Sequence, residues 1–454
     1  GEEGGTARIA QPGILVEPWN PIAGSNWVYD GMPQRATQET GVIWDPYTGL
    51  MWPLRIERGE IVAQEDVAMN STLDWLDLSF ASEIQVPEDA WVDWDATNQR
   101  FITAGEMYPD GLTSLIKVTA IYPEDMWETV TWHDGSPISM GDFIMSMIMT
   151  FDYGKPESPI YDEGYAASLD AFLTHFKGVR IVSTDPLTIE TYEDQYFTVA
   201  ELNFNGNTWY PSYTYGPGAW HNLAVGVLAE AGGELAFSTD KATANEIEWM
   251  SFIAGPSLEI LAGYLDQAGA DGYVPYAATM GDYVTADEAA LRYENLQAFY
   301  GAYGHFWLGT GQYFLEAVYP IEQTLTLARY EAYPDLAERW SVFGTPKIAV
   351  AEVLGDAQVV IGQEASFDAY VTFQDAPYPS AEISGVTYLV FNAQNELVAS
   401  GPAELVTDGQ YVVTLGADVT SQLTAGGSKL EIIVASNMVG LPTFASFEFV
   451  AVAP

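Results

Sequence analysis

Across 454 residues there is not one cysteine. Disulfides, thiolate catalysis and Cys-bound zinc are excluded at once, and no thiol is left to oxidise. Basic residues are nearly as scarce: 15 Lys and Arg stand against 63 Asp and Glu, a formal charge of -48 and a pI near 4.1. A field of that sign repels phosphate backbones and anionic lipid, so nucleic acid is not an expected partner. The carboxylate surplus fits a soluble, self-repelling surface, a saline or acidic habitat, or divalent-cation binding. No apolar run approaches the roughly 18 residues of a membrane span, and the acidic start GEEGGTARIA is no signal peptide. The expectation is an extracellular or cell-surface protein whose signal segment has been removed, with residues 1–6 as a flexible tether.

Catalytic and metal-binding patterns are thin. His133, His175, His221 and His305 are far apart and none has metal-ligand spacing. A nucleophile elbow, a P-loop and a dinucleotide fingerprint are all missing. The reading is therefore not an enzyme. In DWDATN, Asp93, Asp95 and Thr97 have the alternate spacing of an oxygen-ligand loop, without the glycine and distal glutamate of an EF-hand. That leaves a calcium site or a solvated acidic loop. Asn70-Ser71-Thr72 is a glycosylation sequon.

What is abundant is apolar surface. With 48% hydrophobic and 17% charged residues the chain can bury substantial cores, and its length points to about two or three domains. The text changes near residue 345. Before it, helices and strands mix. SPISMGDFIMSMIMTF has Ser139 at an N-cap, Asp142 three residues on, and Ile144, Met147, Ile148 and Phe151 at helical spacing. TADEAALRYENLQAFYGAYG repeats the device, with Thr285 as cap, Glu288 as its partner, and Leu291, Leu296 and Phe299 as core candidates. Residues 246–269 read as a third helical stretch kinked at Pro256. The segments TSLIKVTAIYP, GVRIVSTDPLTIETY and EQTLTLARYE read as strands, the second as a hairpin. VPEDAWVDWDATNQRF reads as a loop before a hairpin. After residue 345, strand-length runs separated by NAQN, TDG and AGG turns predict an antiparallel, immunoglobulin-like sandwich. The fold class expected is thus α+β or mixed α/β at 7–344, followed by an all-β domain at 345–454.

VTWHDGSPISMGDFIMSMIMTFD, residues 130 to 152, resembles the signature of the family 5 extracellular solute-binding proteins, the peptide, nickel and oligosaccharide receptors of ABC importers. The matching residues are Trp132, Asp134, Gly135, Pro137 and Asp142. Gly135 permits the tight turn, Trp132 anchors it, and Asp142 favours the helix start. Three further segments are similar in order. ARIAQPGILVEPWNPIAGSNWVYDGMPQRATQE resembles the family's first strand, proline loop and helix. FKGVRIVSTDPLTIETY resembles a hairpin, and GHFWLGTGQYFLEAVYPIEQTLTLARYEAYPD its Gly-x-Gly-x-Tyr strand pair. Together they span residues 7–340.

The resemblance implies a periplasmic-binding-protein type II lobe that captures peptides or oligosaccharides without covalent chemistry and delivers them to a membrane ABC permease. It also implies a second lobe closing on the first, yet here the chain passes directly into the strand-rich part. Such a lobe has been lost, was encoded upstream and removed, or comes from another polypeptide or a second copy. The ligand surface expected is aromatic: Trp27 and Tyr29 at the cleft edge, Trp209, Tyr210, Tyr213 and Trp220 in NTWYPSYTYGPGAWHN, and Trp307 in GHFWLGTG. The carboxylates suit a cationic or hydroxyl-rich ligand. The alternative is a structural subunit of an extracellular polymer or surface layer, paired through the sandwich.

Overall fold

The computed structural model describes residues 4–454. Of the expected tether, residues 1–3 lie outside that range, and residues 4–6 are exposed without regular structure. The chain divides into two units between Leu336 and Ala337, slightly before the expected boundary, and the second unit also takes in Trp44–Leu50.

The larger unit mixes helices with a seven-stranded sheet. Its strands are β1 (Arg58–Gln64), β2 (Leu76–Ala81), β3 (Trp91–Asp95), β4 (Arg100–Thr103), β5 (Ile116–Ile121), β6 (Phe176–Thr184) and β7 (Leu187–Glu193), in the order β2-β1-β5-β7-β6-β3-β4. The β1–β2 pair is parallel and all the other neighbours are antiparallel. Apolar residues on alternate positions of β1, Ile61 and Ala63, face the core. The expected hairpin at 176–193 is β6–β7. The segment WVDWD, expected in a loop, is strand β3, because Trp91 and Trp94 pack on Phe101 of β4. Residues 7–16 form no strand, contrary to expectation.

Six helices of seven or more residues matter to the site: α1 (Gly31–Thr37), α2 (Met140–Asp152), α3 (Glu163–His175), α4 (Trp220–Ala231), α5 (Ser257–Asp271) and α6 (Ala286–Tyr303). Helix α2 is expected to be amphipathic, yet Phe143, Ile144, Met145, Met147, Ile148 and Met149 are all buried. It is sheathed on every side, as an all-round apolar helix must be. The region 247–256 is not helical. Its residues Glu248 and Trp249 pair in parallel with Leu235 and Ala236, Gly255 takes φ +77°, and Pro256 precedes α5 rather than kinking it. Proline's fixed φ and missing N–H suit a helix start. Leu291 of α6 is 47% exposed, while Leu296 and Phe299 are buried. A hairpin of β8 (Tyr313–Tyr319) and β9 (Thr324–Arg329) completes this unit.

The second unit is a two-sheet sandwich. Its strands are β10 (Val350–Gly355), β11 (Gln358–Val360), β12 (Ala365–Phe373), β13 (Ile383–Phe391), β14 (Leu397–Pro402), β15 (Glu404–Thr407), β16 (Gln410–Leu415), β17 (Gly426–Ser436) and β18 (Thr443–Val452). One sheet runs β10-β12-β16-β15 and the other β11-β18-β17-β13-β14. Alternate residues of both, such as Phe367, Val413, Val390, Ile432 and Phe449, interlock as one core. No helix among the described residues is long and apolar enough to cross a membrane.

Candidate functional site

The loop before α1 is clamped from behind. Buried Asp30 accepts Leu15 N at 2.8 Å, Trp19 Nε1 at 3.0 Å and Ser25 Oγ at 3.2 Å. Asn20 Nδ2 donates to Phe237 O at 2.9 Å and Met250 O at 3.0 Å. Trp19 is fully buried and meets Trp307 edge to face at 5.1 Å. With its inner side fixed, the loop turns Trp27 outward, with Tyr29 half-buried beside it. The two rings lie edge to face at 5.6 Å, Trp27 is 39% exposed, and its Nε1 donates to Gly13 O at 2.9 Å. Val16, Val28 and Met32 are exposed in the same segment, Val28 at 73%. An indole held by a hydrogen bond, with Tyr29 packed edge-on against it on a braced loop, forms an apolar surface that loses little conformational freedom when covered.

The other anticipated rings go elsewhere. Trp209, Tyr210, Trp220 and Trp307 are buried in the main core, as is Phe306, and Tyr213 is half-buried against it. Trp209 Nε1 donates to Thr191 Oγ1 at 2.9 Å, Tyr210 OH meets Thr310 Oγ1 at 3.0 Å, and Trp307 Nε1 donates to Thr37 Oγ1 at 2.8 Å. Trp209, Tyr210, Trp220 and Trp307 are therefore corrected from ligand surface to core. Burying each ring stabilises the lobe by about 2 kcal/mol, and each polar handle finds a partner inside.

The signature turn is a buried polar tie. Gly135 adopts φ +87° and its N–H donates to Trp132 O at 2.8 Å, closing the turn. Asp142, at the first turn of α2, accepts Ser139 N at 2.9 Å, Trp132 Nε1 at 3.1 Å and Trp220 N at 2.9 Å. Its main partner is Arg292 of α6, whose Nη2 donates to Oδ2 at 2.8 Å with both side chains fully buried. Arg292 Nη1 lies 3.3 Å from His221 Nδ1, and His221 Nε2 lies 2.8 Å from Asp134 Oδ2. Burial works to raise Asp134, but His221, the Ser136 amide and Arg292 outweigh it and hold the carboxyl below its usual range. Glu288, expected as the cap partner of Thr285, also turns its carboxylate to Ser139 Oγ at 2.7 Å and Trp220 Nε1 at 3.3 Å. The assembly ties the turn to α2, α4 and α6, and Asp134, His221, Asp142 and Arg292 are sealed from solvent, so it braces rather than binds.

A parallel tie holds the start of the lobe. Arg55 meets Glu39 through both carboxylate oxygens, Nε to Oε2 at 2.7 Å and Nη2 to Oε1 at 2.6 Å, and pairs with Asp335 at 2.9 Å. Burial alone opposes the Arg55 charge, yet Glu39 raises its pKa above the ordinary value. Arg55 and Arg292 are not among the sequence candidates. Their one local signal is the four-residue spacing of Glu288 and Arg292 on a helix.

The acidic loop resolves differently from a cation site. Asp93 lies in β3, with Oδ1 2.6 Å from Lys155 Nζ, and Asp95 accepts Asn98 N at 3.0 Å and Asn98 Nδ2 at 2.7 Å. Each carboxylate is committed to a neighbour, so of the two readings open at Asp93, Asp95 and Thr97 the geometry fits the acidic loop, here a capped turn, rather than the calcium site. Among the described residues, no three His, Asp or Glu converge as a metal site. A shallow crevice of about 170 Å³ beside Asp93, Tyr108, Phe176 and Lys177 is smaller than the roughly 300–1,000 Å³ of drug-sized ligand sites.

No protein-family model matches the chain, and no curated protein matches it. Among solved structures, the CARDB domain of the PF1109 protein of Pyrococcus furiosus, in complex with di-metal ions, is 16% identical, over 23% of this chain and 94% of that one, with a TM-score of 0.17. OgpA from Akkermansia muciniphila with an O-glycopeptide is 12% identical over 23% of this chain and 29% of its own, with a TM-score of 0.18. Salmonella alpha-2-macroglobulin is 10% identical over 31% and 12%, with a TM-score of 0.19. Likenesses of this size carry no argument about fold or activity.

Proposed function

We propose that this chain is a non-enzymatic, extracellular binding protein of the family 5 solute-receptor type, with a periplasmic-binding-protein-like lobe and an immunoglobulin-like sandwich. It captures peptides or oligosaccharides for delivery to an ABC permease. The observation that carries this reading is the Trp27–Tyr29 pair, exposed at Trp27 and half-buried at Tyr29, on a loop braced by Asp30 and Asn20. The braced signature turn at Trp132, Asp134, Gly135 and Asp142 supports the resemblance, since each residue does a distinct structural task there. Capture is by ring faces, with polar groups of the ligand meeting the loop. The test is calorimetric titration of a peptide and oligosaccharide panel into wild type and Trp27→Ala. Saturable binding that weakens about ten-fold or more in the variant supports the reading, and a wild type that binds no member of the panel overturns it.

A second reading, a structural subunit of an extracellular polymer or surface layer, is favoured by one feature of the sandwich. In edge strand β15 every residue is exposed, Leu405 and Val406 at 55% each, and its pairing with β16 is irregular between Leu405 and Thr407. An edge strand with exposed apolar residues is a template for a further strand. Light scattering with and without calcium separates the readings, because a monomer at all concentrations leaves only the receptor.

A further inference from the structure

The ligand chemistry of the Trp27–Tyr29 surface is written in its charges. Acidic groups far outnumber basic ones here, at 63 against 15, so a surface arginine finds a carboxylate easily. Every Lys and Arg from Arg55 to Lys429 has a partner. Arg8 and Arg35 have no ionic partner among the described residues. Both are exposed, and both belong to the N-terminal segment that carries the two rings.

Arg35 is placed for use. It sits in α1, and its guanidinium folds back over the first turn, with Nη2 3.9 Å from where a Cβ on Gly31 would stand. Gly31 directly follows the turn in which Asp30 N donates to Trp27 O at 2.9 Å. The guanidinium therefore lies close to the backbone that follows the ring-bearing turn. Arg8 lies three residues before Gln11, whose Nε2 touches Met32 Sδ at 4.0 Å, so the start of the chain passes the same place. Glu39, the nearest acid in sequence, is taken by Arg55 and Tyr333, and Asp30 is buried and spent on Leu15, Trp19 and Ser25. Neither pairs with Arg35.

We infer that the Trp27–Tyr29 surface takes a ligand that bears a carboxylate beside a flat apolar or sugar face, with Arg35 as the specificity-determining anion partner. The inference rests on the binding function proposed above and reverses the cationic ligand expected from composition. A planar guanidinium pairs with a carboxylate through two parallel hydrogen bonds, while the ring takes the adjacent face. The carboxylate has two sources, a peptide C terminus or a uronic acid, and the chemistry of recognition is shared.

The test is a set of matched pairs titrated into the full chain: a tripeptide with a free or an amidated C terminus, and a galacturonate or galactose trisaccharide. In wild type, at least one acidic member binds about ten-fold tighter than its neutral partner, and the pair that shows this names the source. In Arg35→Gln that preference disappears while the affinity for the neutral partner is unchanged. Equal affinity within each pair for wild type, or a preference that survives Arg35→Gln, overturns the inference but leaves the binding function standing. Failure of all four ligands to bind overturns both. Arg35 is exposed, so a matching melting temperature for the variant is expected and is measured alongside.

Discussion

Replacing Arg292 by Met tests whether the signature turn is held by a buried charge. The guanidinium is fully buried and reaches Asp142 at 2.8 Å, Ser139 Oγ at 3.0 Å and Glu288 at 3.4 Å. Methionine fills much of the volume but strands Asp142. Glu288 is partly exposed and can turn to water, whereas Asp142 has no such exit. Breaking one side of a buried pair costs about 3–5 kcal/mol, because the remaining charge keeps its desolvation penalty. The double variant Arg292→Met, Asp142→Asn removes both charges, and the side-chain oxygen of the new amide can still accept from Trp132 or Ser139. It should recover about 2 kcal/mol of the single variant's loss. The assay is urea unfolding followed by tryptophan fluorescence. All tryptophans except Trp44 and Trp340 belong to the larger unit, so the signal reports that lobe with little from the sandwich. A single variant within about 1 kcal/mol of wild type, or a double variant no more stable than the single, would refute the reasoning.

A Cβ at Gly309 would lie 1.7 Å from Thr37 O, a backbone atom that cannot swing aside, so Gly309→Ala should cost about 3 kcal/mol. At exposed Gly263 in α5 nothing stands within 4 Å, and Gly263→Ala should gain roughly 0.5–1 kcal/mol in the same denaturation assay. His133 and His305 are buried, with Nδ1 accepting Gly309 N at 3.0 Å and Trp307 N at 3.1 Å and Nε2 bound to the carbonyls of Gly311 and Leu315, and burial lowers each pKa to about 4. The unfolded chain takes up these protons near pH 6.5 and the fold resists until about 4. Their contribution to stability is therefore complete above pH 6.5 and is lost as pH falls toward 4. Imidazole ¹⁵N shifts should read both rings as neutral at about pH 5, and midpoints near 6.5 would contradict this. Burial pushes Glu193 up to about 7, above its ordinary 4.5, and Asn207 only partly offsets it. Its penalty on the fold grows as pH rises from 4.5 to 7, so Glu193→Gln should stabilise at about pH 8 by up to about 3 kcal/mol and by nothing at about pH 4. Thermal melts at the two pH values decide it.

What can be read in the sequence is what is local. The cap at Ser139 and Asp142 and the apolar period after it mark α2, because both signals repeat within one or two helical turns. The sandwich strands show through their alternation and their Gly- and Asn-bearing turns. Pro256 misleads because an apolar run fits a helix or a buried strand equally, and only the φ +77° at Gly255 decides where the chain breaks. The cluster around Trp209 has no regular period, but irregular backbone says nothing about burial: these segments fold inward and hydrogen-bond their ring N–H and O–H groups. The Arg292–Asp142 pair joins residues 150 positions apart, and no local pattern records it. At the candidate surface, Trp27 and Tyr29 are legible as aromatics outside any strand pattern, whereas the isolation of Arg35 emerges only once every other cation from Arg55 onward is seen paired.

The most direct test uses protein labelled with fluorotryptophan, whose 14 indoles give separate ¹⁹F signals assignable by substitution. On adding a peptide or oligosaccharide that binds, the Trp27 signal should move while those of Trp132, Trp220 and Trp307 stay fixed. A silent Trp27 beside a ligand that binds would place capture elsewhere on the molecule and contradict the account.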